Sequence, residues 1–238
     1  MFIHACFGTF VIAFLLTPRM TEQSTAITGG YQTMTLFDFT TANNVNDWME
    51  SSDTVREVGM SKAIITLQKT KLFQRAIFFT LLNPQENGAG FAGVRTLTNF
   101  NLAGYDTINI TCRARGNKFY KVVLRHRGMH RDSDPMYEQF FSFSEDPSET
   151  FTVKSVVLSN FKAYFRGRLV PNAEPLDTSN ITMFGLQVYG GVYLPIKHKG
   201  VGSLEINTIV AERRPSPLPS SSTPALDEGL QELTLVEQ

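Results

Sequence analysis

Apolar and polar residues alternate one by one in the middle of the chain. In residues 108–115 the even positions hold Ile, Ile, Cys and Ala, and the odd positions hold Asn, Thr, Arg and Arg. A period of two predicts a β-strand with one buried and one solvent-facing side, because successive side chains on a strand point in opposite directions. The 3.6-residue period of an amphipathic helix is absent. Turn residues flank the segment, with Gly104 and Asp106 before it and Gly116 and Asn117 after it. The pattern therefore predicts an antiparallel β-meander.

Similar short patterns recur along most of the chain. Further strands are predicted around residues 36–39, 62–68, 120–124, 140–143, 153–158, 184–189 and 204–209. No convincing long amphipathic helix occurs between residues 35 and 211. Many short strands separated by turn residues are typical of a β-sandwich or a β-barrel, so the predicted fold class is all-β.

Residues 75–82, RAIFFTLL, form a nearly continuous apolar run. Such a run predicts a strand that is covered on both faces, although its periodicity alone leaves a buried helix open.

The composition favours a packed domain that does not bind nucleic acid. Hydrophobic residues make up 42% of the 238 residues, and the chain contains 19 Phe, whose rings bury large areas in sheet-on-sheet packing. Lys plus Arg and Asp plus Glu both number 22, and a net charge of zero argues against nucleic acid as the main partner. The two cysteines, Cys6 and Cys112, cannot form a disulfide framework, and Cys112 is predicted to be a small buried side chain.

The ends of the chain differ from its middle. Residues 1–34 are predicted to be an apolar, signal-like segment followed by a linker, residues 35–212 one folded domain, and residues 213–238 a disordered Pro/Ser-rich acidic tail. The first 16 residues suit the apolar core of a secretory signal peptide better than an Arg-rich mitochondrial transit peptide. Two glycosylation sequons, at Asn109 and Asn180, agree with a secretory route. Membrane contact through the N-terminus stays open, as does the oligomeric state.

No residue pattern predicts catalysis, a cofactor or a metal. His126 and His130 are four residues apart, with Asp132 and Asp134 nearby, but they lie at the end of a strand rather than on one helix face. No Gly-x-Ser-x-Gly nucleophile elbow occurs. The expectation is therefore a non-enzymatic protein without a cofactor.

Basic residues are concentrated between positions 113 and 131, and two more occur in a later loop. If they share one sheet face they form a positive patch that attracts an acidic protein or anionic lipid, and the alternative is a solvated face balanced by acids from neighbouring strands. The predicted partner-binding residues are Arg113, Arg115, Lys121, Arg125, Arg166 and Arg168.

A set of short motifs in fixed order resembles the complex I intermediate-associated protein 30 family across residues 36–211. The motifs are LFDF at 36–39 followed by Trp48, GFAGVR at 90–95, LAGYD at 102–106, RARG at 113–116, residues 137–141, FRGR at 165–168, PLD at 175–177, residues 181–186 and LEI at 204–206. The resemblance implies a galactose-binding-like jelly-roll β-sandwich. It also implies a non-enzymatic assembly factor, or chaperone, of mitochondrial respiratory complex I, whose partners are complex I intermediates or other assembly factors.

The alternative function is that of a secreted or endoplasmic-reticulum module that binds carbohydrate or another extracellular ligand. Jelly-roll sandwiches of many functions bind such ligands through aromatic rings and polar side chains. The aromatic residues predicted for that role are Trp48, Tyr189 and Tyr193, with an anchor in the core as the favoured alternative for Trp48. The N-terminal segment favours the secretory compartment, and the family resemblance favours the mitochondrion.

Overall fold

The alternating residues build two antiparallel β-sheets that pack face to face. The structure is a computed structural model that describes residues 25–28, 31–55, 57–86, 90–144, 150–191 and 197–213. Within these described ranges, each sheet has seven strands. Sheet A contains β1 (Thr25–Thr28), β2 (Tyr31–Asp38), β4 (Lys62–Lys69), β5 (Gln74–Leu82), β7 (Thr107–Arg115), β10 (Thr152–Val157) and β14 (Gly200–Arg213). Sheet B contains β3 (Met49–Glu50), β6 (Phe91–Phe100), β8 (Phe119–His126), β9 (Met136–Ser142), β11 (Lys162–Phe165), β12 (Arg168–Leu169) and β13 (Ile181–Tyr189).

The last strand, β14, holds sheet A together. Its first half pairs with β5 and its second half with β2, while β7 pairs along most of its length. The register shifts between Ile206 and Thr208. This bulge moves the buried positions from Leu204 and Ile206 to Ile209 and Ala211. An extra residue reverses which side chains face inward, so one strand can serve two successive neighbours with its apolar side always toward the core.

The inner faces of the two sheets form a single hydrophobic core. The alternation predicted for β7 is confirmed, because Ile108, Ile110, Cys112 and Ala114 are buried there. At one end of the core, Trp48 packs against Phe37 with ring centroids 5.0 Å apart. The indole therefore anchors the core.

The run at residues 75–82 is a strand, which excludes the buried helix. The prediction that both faces are covered is wrong. Ala76, Phe78 and Leu82 point into the core, whereas Phe79 and Leu81 lie exposed on the outer face of sheet A.

The folded domain extends beyond its predicted N-terminal bound. Strand β1 and the first residues of β2 lie within the segment predicted to be a linker, and the two strands pair antiparallel. The predicted signal-like residues 1–16 and the tail beyond residue 213 lie outside the described residues. Among the residues described, no helix has the length and hydrophobicity needed to cross a bilayer.

Candidate functional site

A groove of 540 Å³ crosses the outer face of sheet B. Its floor is formed by the residues of β6, β8, β9 and β13 that alternate with the core residues, and β11 closes one side. Gly185 lies in the middle of the floor, paired with Arg95 on β6 and Val123 on β8. Because glycine adds no side chain, the floor is open at this point and the neighbouring long side chains can extend over it.

A buried ion pair lies in the floor of the groove. Lys121 Nζ lies 2.7 Å from Glu138 Oε1, and both side chains are almost fully buried. Gln187 is the register partner of Lys121 on β13 and is also buried. Burying two charges is costly unless they are paired, so these residues hold each other in a fixed arrangement. The groove thus presents hydrogen-bond donors and acceptors at fixed positions.

Aromatic rings form one wall of the groove. The centroid of the Phe140 ring lies 5.6 Å from that of Tyr164 and 5.1 Å from that of Tyr189. Burial, and then the negative charge of Glu138, raise the pKa of both tyrosines, so both phenols stay neutral at pH 7. The wall is therefore apolar, with neutral hydroxyl groups.

The β11–β12 turn overhangs this wall. Its two central residues, Arg166 and Gly167, have φ of 51° and 77°. Positive φ at both central positions defines the tight hairpin turn that fits the twist of paired strands, and glycine adopts it without strain. The turn brings Arg166 to the edge of the groove.

Two arginines occupy the other end of the groove. Arg125 is buried, and its Nη1 donates hydrogen bonds to Met129 O at 3.1 Å and Arg131 O at 2.9 Å. Arg95 lies beside it, and the Nε atoms of both side chains are buried without a hydrogen-bond partner. Among the residues that the structure describes, neither guanidinium forms an ion pair with a carboxylate.

A second charged cluster lies on the opposite side of the sandwich, on the outer face of sheet A. Glu205 on β14 accepts from Arg75 Nη1 at 2.6 Å and from Arg113 Nη2 at 2.7 Å. Arg115 lies further from the same carboxylate, at 3.7 Å. The Phe151 ring packs against the Arg75 and Arg113 guanidinium groups. Among the described residues, three arginines thus surround the one carboxylate of Glu205.

An apolar patch lies on the same outer face of sheet A. It consists of Ile64 on β4, Phe79 and Leu81 on β5, and Val201 on β14, which are between 44% and 74% exposed. The strand register pairs Ile64 with Phe79 and Leu81 with Val201, so the four side chains are neighbours. Contiguous exposed apolar side chains are typical of binding surfaces. We call these four residues the sheet A patch.

A larger cavity of 830 Å³ lies beside β11 and the loop at residues 170–178. The Tyr137 hydroxyl at its edge donates to Glu174 O at 2.7 Å. Its described lining includes none of the buried polar atoms that lack a hydrogen-bond partner. The groove on sheet B contains two such atoms, and it is therefore the stronger candidate for a ligand site.

The predicted basic face is not one surface, which corrects the sequence interpretation. Strands β7 and β8 are consecutive in the chain but belong to different sheets, so their basic residues face opposite sides of the sandwich. The structure places Arg113 and Arg115 on sheet A beside Glu205, Lys121 and Arg125 in the groove of sheet B, and Arg166 and Arg168 at the β11–β12 turn.

The three predicted ligand-binding aromatics have different positions. Tyr189 belongs to the groove wall. Trp48 packs against Phe37, Phe39 and Phe184, as expected of a core anchor and not of a ligand contact. Tyr193 lies outside the described residues.

The two sequons also differ in accessibility. The Asn109 amide donates to Glu212 and accepts a hydrogen bond from Ser155 Oγ at 2.7 Å, within a central strand of sheet A. Asn180 is exposed in the turn before β13. Of the two predicted sequons, Asn180 is therefore the one whose side-chain amide is more accessible.

His126 and His130 are oriented differently in the structure. His126 is buried, and its Nδ1 accepts from the backbone N–H of Asp177 at 2.6 Å, whereas His130 is exposed. Burial and the Arg127 charge lower the pKa of His126. In the part of the chain that the structure describes, no group of three or more potential ligand side chains is placed to hold a metal.

Several groove residues carried no recognisable signal in the sequence. Arg95, Glu138, Phe140, Tyr164 and Gln187 come from four strands that are distant in the chain. The only local indication in the sequence was that the charged residues Lys121 and Arg125 lie on the face of β8 opposite its apolar core residues.

The fold and the groove define a galactose-binding-like jelly-roll β-sandwich. The chain belongs to the complex I intermediate-associated protein 30 family, whose family model matches residues 37–206. The family resemblance and the fold class predicted from the sequence are thereby confirmed.

Solved structures of low sequence identity share this fold. One is the family 11 carbohydrate-binding module of the cellulosomal cellulase Lic26A-Cel5E of Clostridium thermocellum, with 13% identity, a TM-score of 0.53, and coverage of 74% of this chain and 92% of that chain. A second is the family 11 module from Clostridium thermocellum in complex with a β-1,3-1,4-mixed-linked tetrasaccharide, with 12% identity, a TM-score of 0.52, and coverage of 75% and 94%. A comparison with curated protein sequences gave no match.

Proposed function

We propose that this chain is a non-enzymatic binding module that acts in the assembly of respiratory complex I. It does so by binding an assembly intermediate or another assembly factor. The observation that carries this proposal is the sheet A patch. A family of assembly proteins requires a protein-docking surface, and four neighbouring exposed apolar side chains supply one.

The surroundings of the sheet A patch suit a protein partner. The cluster of Arg75, Arg113 and Arg115 around Glu205 lies on the same sheet face. Interfaces commonly combine an apolar centre with arginine and aromatic residues, and complementary charge fixes orientation and speeds association. A partner surface with an apolar centre would match the sheet A patch, and polar groups at its edge would meet the arginines.

The test compares variants of the sheet A patch in cells that lack the protein. Loss of the protein should lower assembled complex I on native gels, and the wild-type chain should restore it. The double variant Ile64→Ser/Leu81→Ser should not restore it, because it removes the apolar contact. Substitutions at exposed positions usually change stability by less than about 0.5 kcal/mol, so the fold should persist.

The control is Leu97→Ser. Leu97 is 61% exposed, as Ile64 is, but it lies on sheet B. This variant should restore complex I fully. Unchanged complex I in cells without the protein would overturn the assembly function, and full rescue by the double variant would remove the sheet A patch from it.

A second candidate function is carbohydrate binding in the groove of sheet B. It is favoured by the combination of an aromatic wall with fixed polar groups in the floor, which is typical of sugar sites. The likeness in fold to a module in complex with a mixed-linked tetrasaccharide supports the choice of probe.

The direct test is affinity electrophoresis in gels that contain β-1,3-1,4-mixed-linked glucan. Retardation of the wild-type chain that is lost in Tyr164→Ala is expected. Phe79→Ala, which removes an exposed ring from sheet A, should leave the retardation unchanged. Equal mobility in gels with and without glucan would contradict binding of this glucan.

The cellular compartment of the protein distinguishes the two candidate functions. Assembly of complex I requires a mitochondrial protein whose mobility is insensitive to glycosidase. A secretory module should shift on glycosidase treatment, and Asn180→Gln should abolish that shift more completely than Asn109→Gln.

A further inference from the structure

We propose that the groove of sheet B takes an acidic carbohydrate, with a uronic acid carboxylate bound between Arg95 and Arg125. This inference rests on the second candidate function and adds the chemical class of the ligand. It assigns a role to the two arginines at the end of the groove away from the aromatic wall.

The geometry of the arginine pair supports anion binding. Arg125 is 6% exposed, and its hydrogen bonds to two backbone carbonyls fix its guanidinium group. Arg95 extends beside it from β6, and both Nε–H groups are buried without an acceptor. Buried donors without acceptors are costly, and a carboxylate can accept two parallel hydrogen bonds from a guanidinium edge. A ligand carboxylate would therefore satisfy donors that the described residues leave unpaired.

The electrostatics at this end of the groove agree with the geometry. Burial and then the Arg95 charge lower the pKa of Arg125, and burial and the two arginines lower the pKa of the nearby His130. Asp132 and Asp134 also line this end of the groove, and they partly balance Arg125 without forming an ion pair with it among the described residues. Two close positive charges repel each other, and an anion placed between them removes that repulsion.

The rest of the groove favours a sugar over an acidic peptide. Sugar hydroxyl groups both donate and accept, which matches Lys121, Glu138 and Gln187 in the floor. The aromatic wall offers an apolar surface for a sugar ring. Lys121 and Arg125 are four residues apart on β8, roughly 14 Å, so one chain can contact both regions. A run of acidic residues lacks the neighbouring hydroxyl groups that would pair with these floor residues.

The experiment measures calorimetric binding of an acidic oligosaccharide and of its neutral methyl ester. A short oligogalacturonate should bind at least about tenfold more tightly than its fully methyl-esterified form, because esterification removes the carboxylate charge that the two arginines would bind. Arg95→Gln should remove this preference by lowering the affinity for the acid towards that for the ester. Arg95 is preferred to Arg125 because Arg125 also holds the turn at residues 129–131.

Two controls define the outcomes. Arg115→Gln removes a half-exposed arginine from the opposite face and should leave the preference intact, and thermal unfolding should confirm that each variant is folded. Equal affinity for acid and ester would overturn the acidic site and leave carbohydrate binding in place. Binding of neither galacturonan probe nor mixed-linked glucan would overturn both. Tighter, Arg95-dependent binding of a poly-glutamate peptide would replace the sugar by an acidic protein segment.

Discussion

Glu205 is the residue on which the charged cluster of sheet A depends. Its carboxylate balances Arg75 and Arg113, and all three side chains are mostly buried. Glu205→Gln should lower the free energy of unfolding at pH 7 by roughly 3 kcal/mol, because removing one partner leaves buried charges uncompensated. Urea unfolding measures the change. Arg115→Gln, at a longer and half-exposed contact, should cost less than about 1 kcal/mol.

The ion pairs of Glu205 should also make the free energy of unfolding depend on pH. Burial raises the pKa of Glu205, but the hydrogen bonds and charges of Arg113 and Arg75 outweigh it, and the net pKa is lowered. A carboxyl whose pKa is lower in the folded state contributes stability above its unfolded pKa of about 4.3, and this contribution is lost as the pH falls through the folded value. The difference in unfolding free energy between wild type and Glu205→Gln should therefore shrink below about pH 4.3. A constant difference down to acid unfolding would contradict the ion-pair assignment.

Cys112 is expected to be chemically inert in the folded chain. Burial raises the pKa of its thiol to about 12, although the Lys154 charge acts in the opposite direction. The thiolate is the reactive form, so at pH 7 the residue is both protonated and shielded. Iodoacetamide followed by peptide mapping should find Cys112 unmodified in the native protein and fully modified in urea. Labelling of native Cys112 within minutes would show that the core opens readily.

At the residue scale, the sequence predicted which side chains are buried, but not which charged side chains form ion pairs. The alternation placed Cys112 in the core correctly. It could not show that Arg113 is neutralised, because its partner Glu205 is 92 residues away. The sequence around Arg113 therefore showed only a run of basic residues. Periodicity is a local property, whereas ion pairs between strands depend on topology.

At the scale of elements, the β7–β8 connection tolerates only glycine. Gly116 has a φ of +79°, and an added Cβ would lie 2.4 Å from Val201 O. Gly116→Ala should cost at least about 1–2 kcal/mol for the left-handed conformation, and the backbone clash adds to that. Gly104→Ala is the matched control, because nothing lies within 4 Å of its added Cβ. Urea unfolding should show a large loss of unfolding free energy for Gly116→Ala and little loss for Gly104→Ala. Similar losses for the two variants would contradict the steric argument.

The positions of most strands could be predicted from the sequence. Which face of a strand is buried could not always be predicted. Strand β5 has apolar residues on both sides, so the pattern predicted double coverage where one side is the exposed sheet A patch. In β14 the apolar set Leu204, Ile206 and Ile209 was predicted and is buried, but the bulge near Asn207 that turns Ile209 rather than Thr208 into the core was not predicted. Both outcomes depend on which neighbours a strand meets, and a single strand's sequence does not contain that information.

At the scale of the whole molecule, the sandwich separates two candidate binding surfaces. The sheet A patch and the groove of sheet B lie on opposite outer faces, with the core between them. The family resemblance could predict a binding function, but the groove could not be read from the sequence, because five strands contribute to it. Because β7 and β8 are consecutive in the chain, the sequence suggested that their basic residues form one surface. The sequence does not show that the chain crosses from sheet A to sheet B between these two strands.

This separation predicts that the two surfaces act independently. The outer faces are further apart than the roughly 10 Å between the two packed sheets, and they share no side-chain contacts among the described residues. Changes at such distances usually add within about 0.5 kcal/mol. Ile64→Ser/Leu81→Ser combined with Arg95→Gln should therefore change the unfolding free energy by the sum of the separate changes. The first pair should leave binding in the groove of sheet B unchanged, and Arg95→Gln should leave binding at the sheet A patch unchanged. A deviation from additivity above about 1 kcal/mol in urea unfolding, or loss of the acidic preference in the patch variant, would show that the core couples the two faces.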